Sequence, residues 1–296
     1  MLNEPHCGYV AIIGRPNVGK STLLNRILGQ KLSITSHKPQ TTRHQIFGIK
    51  TKDNIQTVYV DTPGIHEHAK RIMNRFMNRA AITMIYDVNV IVFIVDARVW
   101  NNDDELILKK LKQAKCPVIL ALNKVDLIKD KDALLPKIAE LNEKYSFAAV
   151  IPLSATKDVN VAELEKIISK YLPKGAHFFP DNKLTDKDDR FLITEVIREK
   201  IMRLTNKEVP YSVAVIVESF KKEKDLLRIG IVIWVERKGQ RIIIIGEKGK
   251  KLKEIGRQAR LELEKMFGTK VFLTLWVKIK EGWVDDKESL GKLGIG

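Results

Sequence analysis

Gly14-Arg15-Pro16-Asn17-Val18-Gly19-Lys20-Ser21 has the spacing G-x-x-x-x-G-K-[ST]. It follows the apolar run Tyr9–Ile13, and Thr22 continues it into a helical pattern that stops at Gly29. Strand, glycine loop and helix in that order form a phosphate cradle, because glycines let backbone N–H groups turn inward around an anion and the helix start adds partial positive charge. Lys20 would reach β- and γ-phosphates, and the Ser21 hydroxyl would ligate Mg²⁺. Asp61-Thr62-Pro63-Gly64 directly follows the strand ending at Val60. Its carboxylate can hold Mg²⁺ through water, and the Gly64 N–H can touch a γ-phosphate. Asn123-Lys124-Val125-Asp126 follows the strand Pro117–Leu122. The Asp126 carboxylate can accept two parallel hydrogen bonds from the ring N–H and amino group of guanine, which adenine does not offer in that arrangement. Asn123 would tie the base to neighbouring loops, and the Lys124 stem would cover its face. Ser154-Ala155, after the strand ending near Leu153, puts a backbone N–H within reach of guanine O6.

These groups need a scaffold that brings strand ends together. Apolar runs at Tyr9–Ile13, Thr57–Val60, Val90–Val95, Pro117–Leu122 and Ala148–Pro152 alternate with helical stretches such as Asp103–Gln113 and Val161–Leu172. That alternation predicts an α/β domain, a mostly parallel sheet with helices on both faces and ligands at the carboxyl ends of its strands. Asn160 with Glu163 has capping-box spacing at the start of the last helix. Gln45–Thr51 and Ile55–Val60, joined by Lys52-Asp53-Asn54, predict a hairpin and hence one antiparallel edge strand.

The ordered set Gly14–Ser21, Asp61–Gly64, Asn123–Asp126 and Ser154-Ala155 resembles the translation-factor-related GTPases. In that family a switch threonine precedes the hairpin, and Gln40-Thr41-Thr42-Arg43 matches it. The resemblance assigns Thr42 to Mg²⁺ and the γ-phosphate, with Thr41 as the alternative. Many GTPases orient the attacking water with a glutamine just after the third motif; here Ile65 stands there and cannot do so. The resemblance is therefore to the subgroup with a hydrophobic residue at that position. It implies slow intrinsic hydrolysis of GTP to GDP and phosphate, accelerated by a partner or by K⁺ near Asn17. His66 is either a water-positioning group or a surface histidine. Lys70–Arg79 suits a helix after the second switch and equally a solvated helix face.

The 296 residues allow about two domains. Cys7 and Cys116 are too few for a disulfide framework or a metal knuckle. Met1 to Gly8 lacks the basic start and apolar core of a signal peptide, and no apolar run approaches the roughly 20 residues that span a bilayer. The expectation is a cytoplasmic protein, at most peripheral on a membrane. A net charge of +16 favours a polyanionic partner, nucleic acid or anionic lipid.

Pro173 through Asp189, with two prolines, a glycine and a run of Asp and Lys, reads as a linker in which Phe178-Phe179 packs. The predicted division is a nucleotide domain over residues 1–174, a linker over 175–190 and a second domain over 191–296. Phe191–Leu204 sets Ile193, Val196, Ile197, Ile201 and Leu204 against Glu195, Arg198, Glu199 and Arg203 at helical spacing. Tyr211–Phe220 and Leu226–Glu236 read as strands around a charged turn, Lys221–Asp225. Ile242 to Ile245 read as strand by propensity. A helix over Lys250–Phe267 and a strand over Val271–Ile279 close the chain.

Ile245-Gly246-Glu247-Lys248-Gly249, followed by a helix bearing Lys250, Lys251, Lys253 and Arg257, resembles the G-x-x-G loop of a KH domain of the second topological type. That family places a short helix where the isoleucines stand, so strand and helix both remain open there. Two glycines let a nucleic-acid backbone lie against such a loop and four nucleotides be clamped. Arg237 to Arg260 holds nine Lys or Arg and two Glu, so the +7 surplus of Asp181–Gly296 lies around the loop.

A GTPase of this subgroup with one C-terminal KH domain resembles the Era family over nearly the full chain. Pro39–His44, Ile197-Arg198-Glu199-Lys200, Pro210–Val213 and Leu275-Trp276-Val277-Lys278 carry the likeness. It implies a monomer that binds GTP or GDP with Mg²⁺, binds the 3′ end of small-subunit (16S) ribosomal RNA and assists small-subunit maturation. Members are also placed at the inner face of the membrane. A constitutive RNA-binding module with a structural nucleotide site and a membrane-signalling GTPase are the alternatives.

Overall fold

The structure, a computed structural model, describes residues 4–35, 46–61, 87–130, 132, 134–205 and 213–293. The chain divides into two compact units that part between Asp186 and Lys187, with Ile34 and Thr35 counted in the second.

The first unit runs β1 (His6–Ile13), α1 (Lys20–Leu28), β2 (Ile46–Lys52), β3 (Ile55–Asp61), β4 (Val90–Asp96), α2 (Asn102–Leu111), β5 (Val118–Asn123), α3 (Leu134–Lys144), β6 (Ala149–Pro152) and α4 (Val161–Ser169). The sheet order is β2-β3-β1-β4-β5-β6. Every neighbouring pair is parallel except β2–β3. Every residue of β4 and β5 is buried, as expected of strands covered on both faces. The hairpin loop is Asp53-Asn54, with Asp53 at φ 52, a left-handed turn that matches the twist of its strands. β2 is an edge strand, and Leu184–Asp186 covers it: the Ile49 N–H donates to Leu184 O (2.9 Å) and the Phe47 N–H to Asp186 Oδ1 (3.0 Å). Upstream of that, Phe178 stacks on Tyr9 with centroids 5.1 Å apart. The Gln56 side chain accepts from the Phe179 N–H and donates to its carbonyl.

The capping box expected at Asn160 and Glu163 does not form. Asn160 sits at φ 57 after a tight turn, and its amide donates to Pro152 O instead. The reciprocal cap is on α2, where Asn101 Oδ1 accepts from the N–H groups of Asp103 and Asp104, and Asp104 accepts from the Asn101 N–H.

The second unit runs α5 (Asp189–Leu204), β7 (Val213–Glu223), β8 (Leu226–Val235), α6 (Lys238–Ile245), α7 (Lys250–Phe267), β9 (Lys270–Ile279) and α8 (Lys287–Lys292). β7 and β8 are antiparallel, and β8 pairs with β9 in parallel. Ile193, Val196, Ile197 and Ile201 of α5 share one core with Ile255, Ala259 and Leu263 of α7 and alternate residues of the sheet.

One expectation is corrected here, and two further points are decided. The ladder runs on through Lys221, Lys222 and Glu223, so the turn shrinks to Lys224-Asp225; the charges lie on strand positions open to water. Ile242–Ile245 are helical. Gln240 Oε1 accepts from the N–H groups of Glu236 and Arg237, satisfying donors at the helix start, and this local cap outweighs the β propensity of isoleucine. The charged residues of α5 lie inside the fold: Glu195, Arg198, Glu199 and Lys200 are all buried and ion-paired. Among the described residues, no helix is long and apolar enough to cross a membrane.

Candidate nucleotide and RNA sites

The phosphate loop joins β1 to α1. Asn17 (φ 64) and Gly19 (φ 110) take left-handed backbone, the second position ruling out a Cβ without strain. Crowding also excludes one: a Cβ on Gly14 would lie 2.3 Å from Ile94 O, and on Gly19 2.2 Å from Asn123 Nδ2. Lys20 begins α1, is almost wholly buried, and donates from Nζ to the carbonyls of Gly14 and Arg15, both at 2.9 Å. The ammonium therefore sits inside the loop it would serve. Ser21 Oγ donates to Asp61 Oδ2 at 2.9 Å, with the Asp61 carboxylate buried at the end of β3. One hydroxyl and one carboxylate, both hard oxygen donors, fit Mg²⁺.

Burial pulls Lys20 down to about 8, the Asp61 carboxylate resisting and the Arg15 guanidinium assisting. A phosphate placed against Nζ favours the charged form. Nucleotide affinity is therefore expected to be level below pH 8 and to fall above it, with a proton taken up on binding at pH 9. Calorimetry in two buffers of different ionisation enthalpy reads that uptake; identical heats in both would remove Lys20 from the phosphate contact.

At the base end, Asn123 closes β5. Its Nδ2 donates to Val18 O (2.7 Å), and its Oδ1 accepts from the Ala155 N–H (3.0 Å). The N–H expected to meet guanine O6 is thus engaged by Asn123. Lys124, at φ 69, donates to Asn17 O (2.7 Å) and pairs with Asp96 (3.0 Å). Asp126 lies exposed on the short helical turn Val125–Leu127, open to a ligand. Ser154 Oγ accepts from the Lys157 N–H, which fixes the loop after β6.

Three side chains that motif reasoning passed over complete this geometry. Asp96 closes β4 and takes two hydrogen bonds from the Arg98 guanidinium (2.9 and 2.8 Å) as well as Lys124. Those two cations hold its carboxyl far below the usual carboxylate range despite burial. Arg26 grips the last loop through Ala155 O and Thr156 O. Asp104, fully buried, holds Arg15 at 3.0 Å. Only a strand-end acid followed by a basic residue, Asp96-Ala97-Arg98, carried a signal for any of them.

Thr41, Thr42, Thr62, Pro63, Gly64, Ile65, His66 and the stretch 70–79 lie outside the described residues.

In the second unit α6 ends at Gly246 (φ 70), Lys248 is at φ 47, and Gly249 (φ 78) precedes α7. A Cβ on Gly246 would lie 2.6 Å from Lys251 Cβ, whereas one on Gly249 would meet nothing within 4 Å. The outer side of Gly249 is open, as a backbone-clamping loop requires. Lys248, Lys250, Lys253 and Arg257 are exposed around it; Glu247 is exposed, Ile245 and Lys251 half-buried. Arg257 is engaged by Glu254 at 2.7 Å.

The chain is similar to known proteins over nearly its full length. The GTPase Era of Marinobacter nauticus is 54% identical over 292 residues, covering 99% of this chain and 96% of that protein. The GTPase Era of Haemophilus influenzae is 55% identical over 294 residues, covering 99% and 97%.

The chain belongs to the Era GTPases.

Family models agree by region: a 50S ribosome-binding GTPase model matches residues 9–124 and a KH domain model residues 208–284. An Aquifex aeolicus Era variant bound to GDP.AlF4- superposes with a TM-score of 0.95 at 41% identity, covering 98% of this chain and 99% of that one. An Era in complex with MgGDPNP and nucleotides 1506–1542 of 16S ribosomal RNA superposes with a TM-score of 0.95 at 42% identity, covering 99% of each. The Era fold is therefore a P-loop GTPase domain followed by a KH domain, in the order described above.

Proposed function

We propose that the chain is a GTP-hydrolysing switch that binds the 3′ end of 16S ribosomal RNA and assists maturation of the small ribosomal subunit. The observation that carries this reading is the Era complex with MgGDPNP and 16S ribosomal RNA, matched over 99% of this chain. The large-subunit wording of the GTPase family model covers the nucleotide-binding region alone, so the full-length relative decides between subunits.

Each described candidate residue has a role that its surroundings support, and Thr42 and Ile65 take theirs from the sequence resemblance. Gly14 to Thr22 bind the phosphates, Lys20 supplies the charge there, and Asp126 selects guanine. Asn123 and Lys124 hold the base loop onto the phosphate loop. Ser21 and Asp61, with Thr42, would hold Mg²⁺, which when bound neutralises charge on the terminal phosphates. Lys248, Lys250, Lys251, Lys253 and Arg257 meet RNA phosphates around Gly246 and Gly249. The family's hydrolysis is slow here because Ile65 cannot orient water. The single-turnover rate is expected to rise with K⁺ over Na⁺ or with RNA, and a rate in the tens per second without either would refute that.

Filter binding of the RNA 3′ tail with a GTP analogue and with GDP tests the switch. Tighter binding with the analogue is expected; equal affinities would favour a constitutive RNA module. A basic surface also suits anionic lipid, and sedimentation with anionic vesicles beside RNA tests a peripheral membrane role.

A further inference from the structure

The KH sheet has two faces, and only one is buried by α5 and α7. Val271, Leu273, Leu275 and Val277 of β9 pack into that core, as do Ile229, Ile231 and Ile233 of β8. The residues between them point the other way. The parallel register places Arg228 beside Phe272, Gly230 beside Thr274, Val232 beside Trp276 and Trp234 beside Lys278. Phe272 is 51% exposed and Trp276 48%, while Trp283 a few residues on is fully buried. An open indole and an open phenyl on one strand face are therefore not what this unit does with every aromatic side chain.

The way Trp276 lies is informative. A Cβ on Gly230 would come within 3.4 Å of Trp276 Cζ3 and 2.4 Å of Ser219 Oγ. The glycine leaves room for the indole to reach across the β8 backbone, and half of it stays open to solvent. The Arg228 guanidinium stands 5.4 Å from the Phe272 ring centroid, and Lys280 Nζ 4.0 Å from that of Trp234. Arg228 and Lys278 are paired with Glu223 and Glu218, at 2.8 and 3.4 Å. Exposed pairs of this kind are readily exchanged for phosphate.

We propose that this outer face is a second RNA contact, in which unpaired bases stack on Trp276 and Phe272 while Arg228 and Lys278 meet the adjacent phosphates. Aromatic side chains on a sheet with cations beside them form a stacking platform for single-stranded RNA. Positions 272 and 276 are four residues apart on a strand, about 13 Å, so they take two bases that are not neighbours in one stack. The inference rests on the RNA reading above and extends it. A G-x-x-G loop clamps four nucleotides, and it lies where α6 and α7 meet, on the helical side of the sheet.

The test uses the full-length chain with a GTP analogue and two labelled RNAs. One corresponds to nucleotides 1506–1542 of 16S ribosomal RNA. The other is a short oligonucleotide of about six residues that fills the glycine loop alone. Trp276→Ala is expected to weaken the long RNA by about ten-fold and leave the short one unchanged, while Trp276→Tyr, which keeps a stacking ring, retains most of the affinity. An unchanged long-RNA affinity in Trp276→Ala overturns this inference alone. Equal losses on both RNAs, in the Tyr variant too, make Trp276 a structural residue and also overturn it. Failure of the unsubstituted chain to bind either RNA overturns the RNA reading, and this one with it.

Discussion

Asp126→Asn is expected to exchange guanine preference for xanthine. The carboxylate accepts from the ring N–H and the amino group of guanine; an amide presents one donor and one acceptor and matches the carbonyl of xanthine instead. Sites built to hydrogen-bond a group discriminate by about 10⁴-fold, because a mismatched ligand leaves polar groups unpaired. A loss of GTP affinity of roughly that size is expected, with XTP affinity rising in compensation. Asp126 is exposed on its turn, so folding is not at stake: surface changes of this type stay within about 0.5 kcal/mol. Competition of GTP and XTP against a fluorescent GDP reads the exchange directly, and an unaltered GTP affinity would sink the base assignment.

Gly249→Asp is expected to abolish RNA binding and leave GTP binding intact. Gly249 has φ 78, so any side chain costs roughly 1–2 kcal/mol of backbone strain, which a domain with this core can absorb. No atom stands in the way of a Cβ there, so the substitution acts on the ligand rather than on the fold. A carboxylate would then occupy the place where the phosphates run, amid Lys248, Lys250 and Lys253. Gly246→Asp should lose RNA as well, but through distortion, since its Cβ would collide with Lys251. Filter binding and nucleotide titration on the same sample separate the two. Retention of RNA by the Gly249 variant would remove the loop from the interface.

The nucleotide half was legible because its chemistry is contiguous. Each motif sits at a strand end, and burial on both faces writes the strands as unbroken apolar runs such as Val90–Val95. The residues that hold those motifs in place were not legible. Arg26 and Asp104 act across long sequence separations, where an isolated acid or base has no spacing to read, and the pair Asp96 and Arg98 is local but does not announce its reach to Lys124. Ile242–Ile245 stayed open between strand and helix because propensity is local; the cap at Gln240 decides for helix. The burial of the acids and bases of α5 was not legible, because amphipathic spacing alone cannot tell water from a buried ion pair.

Asn123 and Lys124 grasp the carbonyls of Val18 and Asn17, so the segment reading the base and the segment cradling the anion are stapled together. Half a ligand should then feel the other half. Guanosine by itself would pre-order the anion seat, and inorganic pyrophosphate by itself the purine seat, each sharpening the fit of its complement by the same factor.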